Sequence, residues 1–127
     1  MVAKIYRPPT LREACQLIAS SEDFRVHFYD WLDDFYHYPA ERQRLIADEI
    51  GPMGETRLEA FAAAAVHQLC LWHDVPVPAW VYKDRYYLDD PWFYPPEINL
   101  RAIEIAESPA AFRARSIFTF ANVLERW

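Results

Sequence analysis

The stretch Thr56-Arg57-Leu58-Glu59-Ala60-Phe61-Ala62-Ala63-Ala64-Ala65-Val66-His67-Gln68-Leu69-Cys70-Leu71-Trp72-His73 decides how the rest of the chain is read. Thr56 and Glu59 have capping-box spacing, in which a hydroxyl and a carboxylate satisfy each other's backbone N–H groups at a helix start. Leu58, Phe61, Ala62, Ala65, Leu69 and Trp72 then recur at steps of three and four, which predicts a helix through about His73. The run Ala62–Ala65 leaves little side-chain bulk, so another helix or a ring can approach closely. This is the expected centre of the fold.

Upstream, Thr10-Leu11-Arg12-Glu13 repeats the capping box, and Leu11, Ala14, Cys15, Leu17 and Ile18 carry a helical stripe to about Ser20. Ser20 and Ser21 are candidate N-caps for a second helix, with Glu22 and Asp23 suited to its positive end. Phe24, Phe28, Trp31, Leu32 and Phe35 form its apolar stripe. Pro39 ends that helix and opens a third, which holds Leu45, Ile46 and Ile50 and stops at Gly51-Pro52. These four helices predict an antiparallel core.

Downstream, between residues 75 and 97, periodicity vanishes. Pro76, Pro78, Pro91, Pro95 and Pro96 interrupt any long helix, yet Trp80, Tyr82, Tyr86, Tyr87, Trp92, Phe93 and Tyr94 crowd the same segment. Disordered linkers are poor in aromatics, so this reads as an ordered strap laid over the helices. Residues Leu100–Glu107 read as a short helix. Ser108-Pro109 caps another through about Arg115, and residues Phe120–Trp127 form a last one. The fold class is therefore all-α: one compact domain, residues 1–127, of six to seven helices and a Pro- and aromatic-rich strap.

Composition bounds the function. With 127 residues the chain has the size of one domain, and its formal charge of −6 disfavours nucleic acid as main ligand, since phosphate binding needs a basic surface. Acidity instead favours a basic protein partner, through steering. Two glycines, Gly51 and Gly54, exclude glycine-rich phosphate loops and dinucleotide fingerprints. Cys15 and Cys70 stand apart among Ala and Leu, as small buried hydrophobes rather than a disulfide framework or a zinc set. No apolar run nears the roughly 20 residues that span a bilayer, and the N-terminus lacks a signal-peptide core. The expected compartment is the cytoplasm, without membrane association.

Two constellations stand out. His27, Asp30, Asp34 and His37 share an arc of roughly 80° on the second helix, beside its apolar stripe. Imidazoles and carboxylates on one face could ligate zinc, manganese or iron if another helix supplied the remaining donors, and a metal-dependent enzyme is the alternative reading. A solvated face of an acidic protein has the same appearance. The strap is the second constellation. Trp80, Tyr82, Tyr86, Tyr87, Trp92 and Tyr94 could line a groove for a protein partner, because Tyr, Trp and Arg dominate the centres of interfaces. They could equally fill the gap over the alanine face. No catalytic residue or cofactor is indicated: no nucleophile elbow occurs, and His67 and His73 point to different faces of the central helix. At least one of Arg113 and Arg115, among Phe112, Ile117, Phe118 and Phe120, is expected to lie along apolar surface with its head in a structural ion pair to Glu104, Glu107, Asp89 or Asp90, pinning the C-terminal helices to the strap.

The C-terminal third reads Ala79-Trp80-Val81, Pro91-Trp92-Phe93-Tyr94-Pro95 and Leu100-Arg101-Ala102. It then runs Glu107-Ser108-Pro109-Ala110-Ala111-Phe112-Arg113-Ala114-Arg115-Ser116-Ile117-Phe118. Over about residues 79–127 this resembles an uncharacterised family of small bacterial proteins. Some of its members occur as the C-terminal part of helix-turn-helix regulators beside genes for nucleotidyltransferase-type toxins. The resemblance implies an antitoxin-like, partner-binding module, its partner the product of a neighbouring gene, rather than an enzyme.

Overall fold

A computed structural model describes residues 6–21 and 23–126. Helix α1, Leu11–Ser21, starts at the expected box: Glu13 N–H donates to Thr10 Oγ1 at 3.2 Å and Thr10 N–H to Glu13 Oε1 at 3.0 Å. Helix α2, Phe24–His37, is capped by Asp23, whose carboxylate accepts from Val26 N–H, and not by a serine. Glu22 and Trp127, on which expected helix ends also fall, lie outside the described residues. Phe28, Trp31, Leu32 and Phe35 are buried along α2, with Trp31 in ring contact with both Phe28 and Phe35. The Trp31 indole N–H donates to Leu45 O at 3.2 Å, which holds α3, Arg42–Ala47, against α2. A 3-10 turn at Pro39–Glu41 joins the two. Helix α3 stops earlier than Gly51-Pro52 because Asp48 is already extended.

Helix α4, Thr56–His73, is buried on nearly every side: Glu59 through Val66 and Gln68 through Cys70 are inside. A helix apolar all round belongs in the core. Its start differs from the expected box. Glu55 is the cap, accepting from Arg57 N–H, and Glu59 turns instead to Met53 N–H at 2.9 Å. The expected four-helix antiparallel core resolves into two groups. Helix α1 packs on α2 and α3, while α4 lies backbone-close to the short helix Ala110–Arg113 and to the strap. Phe24, Phe28 and Phe61 bridge them with rings 5.4–5.5 Å apart.

The strap is ordered. It makes 3-10 turns at Ala79–Tyr82 and Asp84–Tyr86, then strand β1, Trp92–Phe93, which pairs in parallel with β2, Ile117–Phe118. Trp92 N–H to Ser116 O and Tyr94 N–H to Phe118 O flank this ladder. A 3-10 turn at Ile98–Leu100 leads into α5, Arg101–Glu107. Helix α6 spans Ala110–Arg113 and ends before Ser116, which has a positive φ of 63°. Ser108 does not cap α6. Its hydroxyl donates to carbonyls of Glu104 and Thr119, and the Gln68 side chain of α4 accepts from Ala111 N–H in its place. The expected last helix is a turn over 121–124. Tyr29 and Tyr36 hydroxyls take the Val123 and Leu124 carbonyls that helix continuation would need. Among the described residues the fold is thus all-α, with six helices and two two-residue strands.

Candidate functional site

The strap rings divide sharply. Trp80 is buried, and its indole N–H donates to Ile46 O at 3.0 Å; Tyr86 is buried, and its hydroxyl donates to Glu49 at 2.7 Å. Both are core residues, so neither presents itself to a partner. Trp92 and Tyr94 are half-buried against Phe61, and Tyr87 half-buried over Arg115. Of the six expected contact rings only Tyr82 stands out, 52% exposed.

A polar network fastens the strap to the chain before α4 and to the first turn of α4 itself. Glu49 accepts from Lys83 Nζ at 2.6 Å and from Tyr86, and Glu59 accepts from Arg85 at 3.0 Å. The Lys83 and Tyr86 donors hold the Glu49 carboxyl below its usual range. This network joins segments rather than opening onto a cleft.

Arg115 breaks the expectation of an ion pair. It is fully buried, yet none of the ion pairs among the described residues includes Arg113 or Arg115. Its Nη1 donates to Ala111 O at 3.0 Å and to His67 Nδ1 at 3.2 Å, and Nη2 to Val81 O at 2.7 Å, beneath the Tyr87 ring. These carbonyls end α6 and the first 3-10 turn, so backbone dipoles replace the carboxylate. Arg113 does the same at the surface, donating to Ile105 O at 2.8 Å at the end of α5. A guanidinium can only donate, so His67 Nδ1 accepts and Nε2 carries the proton, 3.5 Å from the Tyr82 hydroxyl. Burial, then Arg115, pushes the His67 pKa down. His73 packs edge-on against Phe35 and Tyr36, and burial lowers its pKa too.

The histidines and aspartates of α2 are placed as follows. His27, Asp30 and Asp34, with Asp33, border a surface depression of about 270 Å³. Asp34 accepts from Tyr6 Oη at 2.8 Å. His37 lies outside that depression, exposed, with Nδ1 2.8 Å from Asp33 O. Among the described residues no group of three or more His, Cys, Asp or Glu side chains converges as metal ligands would. Both cysteines are buried, which pushes their thiols up to about 12 (Cys15) and about 11 (Cys70) and disfavours the thiolate.

What remains is an apolar surface at the C-terminal end of α4. Trp72, placed by periodicity on the core stripe, is 46% exposed, and Leu71 is open beside it. Leu71 lies one helical turn from His67, whose ring is 5.0 Å from that of Tyr82. Tyr82 and Leu71 therefore both adjoin His67 on one face of α4, while Trp72 is exposed further round the helix, about 100° from Leu71. No helix among the described residues is long and apolar enough to cross a membrane. Comparison with family models, curated proteins and solved structures finds no match.

Proposed function

We propose that this chain is a protein-interaction module that engages its partner through Tyr82, Leu71 and Trp72, with an antitoxin-like role beside the product of a neighbouring gene. The observation that carries the reading is the exposure of Tyr82 and Leu71 beside half-buried His67, with Trp72 exposed at the same end of α4. Isolated exposed apolar residues are ordinary, whereas adjoining ones mark contact surfaces, and Tyr and Trp are the residue types that anchor them. The charge of −6 favours a basic partner. The antitoxin-like role draws on the resemblance of residues 79–127.

Co-expression with the adjacent gene product, followed by pull-down and a growth assay, tests this. The expected result is a stable complex and relief of that product's toxicity, both weakened by Tyr82→Ala with Trp72→Ala. Absence of a complex, together with a harmless neighbour, would sink the proposal.

A further inference from the structure

A cavity of about 510 Å³ opens where α2 meets the strap and the segment after β2; Arg25, Tyr29, Tyr94, Thr119, Asn122 and Arg126 help to line it. That volume falls within the range of small-molecule sites, which combine apolar walls with a few converging polar groups. Tyr29, Tyr94 and Phe120, each half-buried, supply an aromatic wall. Tyr29 is held by its hydroxyl, which donates to Val123 O at 3.3 Å, and Tyr94 by edge-on contact with Phe61 at 5.8 Å. The polar lining is less settled. Thr119 is only 1% exposed, and its backbone N–H and carbonyl both bond to the Ser108 hydroxyl. Its own hydroxyl has no hydrogen bond among the described residues, and neither has the Tyr94 hydroxyl or the Asn122 carboxamide. A buried hydroxyl without a partner carries a desolvation cost that a bound ligand offsets.

We infer that this cavity binds an aromatic carboxylate, its planar ring against the tyrosine wall and its single negative charge on Arg25. Two guanidinium groups line the cavity, and one of them is already engaged. Arg126 donates to both Asp33 oxygens, at 2.7 and 3.0 Å, and lies over the Tyr29 ring at 4.9 Å. Arg25 is exposed and has neither an ion pair nor a hydrogen bond among the described residues. A guanidinium presents parallel N–H donors that match a carboxylate in a bidentate pair. The rest of the lining sets the number of charges. Glu125 borders the same cavity and the chain carries −6, so a second negative charge meets repulsion with no further cation to offset it. Di- and polyphosphates are disfavoured on that ground. The wall sets the ring, because aromatic side chains accept one by offset or edge-on packing. Thr119 is buried where Arg25 is exposed, so the charge binds at the rim and the ring reaches inward. There the Thr119 and Tyr94 hydroxyls and the Asn122 carboxamide, which both donate and accept, suit a polar substituent such as an indole N–H.

This site shares no residue with the Tyr82 surface, and its test needs no neighbouring gene product, so the two readings stand or fall separately. Indole-3-acetate is the free-acid probe and indole-3-acetamide its uncharged counterpart. An acetylated glycyl-glycyl-tryptophan peptide presents the same carboxylate chemistry at a chain end. Titrated into the full chain and followed by NMR, the acid or the peptide should shift the amide signals of Tyr94, Thr119 and Asn122 saturably, with a Kd of about 1 mM or tighter, the scale for a ligand of this size. The uncharged amide should bind at least about tenfold more weakly than the acid. Arg25→Gln should abolish that difference while leaving the melting temperature unchanged. Thr119→Val keeps the shape but not the hydroxyl, and should weaken the acid by about two- to tenfold. Saturation by the acid supports a small-molecule ligand, and saturation by the peptide alone supports a chain end as the source of the same chemistry. Failure of both to saturate at about ten times that concentration overturns the inference. So does an amide bound as tightly as the acid, an acid indifferent to Arg25→Gln, or shifts confined to other parts of the chain.

Discussion

Arg115 Nη1 lies 3.2 Å from His67 Nδ1, and that contact fixes which proton the histidine holds. A guanidinium offers only donors, so protonating Nδ1 would break the bond and place two cations together. The His67 pKa is accordingly lower folded than unfolded, through burial first and Arg115 second. A depressed pKa contributes stability that is present above the unfolded value and lost as pH falls through the folded one. Stability should therefore decline as pH drops below about 6.5, with His73 adding in the same direction. Melting temperatures measured from neutral to mildly acidic pH should fall for the wild type and less for His67→Gln. Parallel curves for both proteins would contradict this.

Arg115 should tolerate no substitute. Methionine keeps the apolar stem but leaves the Ala111 and Val81 carbonyls without a donor, at about 1–3 kcal/mol for each buried group left unsatisfied. Lysine lacks the planar fork that serves both carbonyls and His67 while lying flat beneath Tyr87. Urea denaturation should show both variants well below the wild type. Equal midpoints would mean that the buried charge costs as much as its hydrogen bonds return.

Glu104 predicts the opposite sign. Burial, then Glu97, raises its pKa, and a raised pKa means stability that is fully present below the unfolded value and lost as pH rises. Glu104→Met removes two buried carboxylate oxygens that have no hydrogen-bond partner and gives α5 an inward apolar anchor. It should stabilise the protein by about 1–3 kcal/mol at neutral pH, with the gain shrinking as pH falls towards about 4.5, because the folded wild-type carboxyl protonates above that value. A destabilised variant would show that Glu104 has a partner in solution.

Asp74 ends α4 in the left-handed region, at φ 55°, with a negative charge at the negative end of the helix. Both features are unfavourable for aspartate, and Asp74→Gly removes both. The expected gain is about 0.5–1 kcal/mol, read as a higher thermal midpoint. An unchanged midpoint would point to a compensating interaction of the aspartate.

Periodicity was enough to find α1, α2 and α4, because each carries an apolar stripe that one turn of helix must bury. The capping box was reliable for Thr10 and Glu13 but not for Thr56 and Glu59, where tertiary contacts with Met53 and Arg85 outcompeted the local bond. Spacing failed wherever the decisive partner was distant in sequence. Arg115 looked like half of an ion pair, and its true acceptors are carbonyls and a histidine brought close by folding. The strap's rings were legible as a group, but which were core depended on Ile46 and Glu49 standing within reach of Trp80 and Tyr86. The pattern in α5 was readable all along: a glutamate flanked by isoleucines, in a helix whose inward face only the structure identifies.

The division within the strap leads to a paired test. Trp80 is almost fully buried, and its indole N–H satisfies Ile46 O, so Trp80→Phe leaves that carbonyl unpaired and a gap where the larger ring lay. It should lower stability by about 1–3 kcal/mol. Tyr82 is half exposed, and its hydroxyl is only 3.5 Å from His67 Nε2, at the limit of a hydrogen bond. Tyr82→Ala should stay within about 0.5 kcal/mol of wild type in stability, as surface changes do. If Tyr82 anchors the partner, the same substitution should weaken binding by about tenfold or more, the scale of an interface anchor. Denaturation curves and titration calorimetry on both variants check the two halves. A Tyr82→Ala protein that loses stability but binds normally would return this ring to the core, and the contact surface would have to be sought elsewhere.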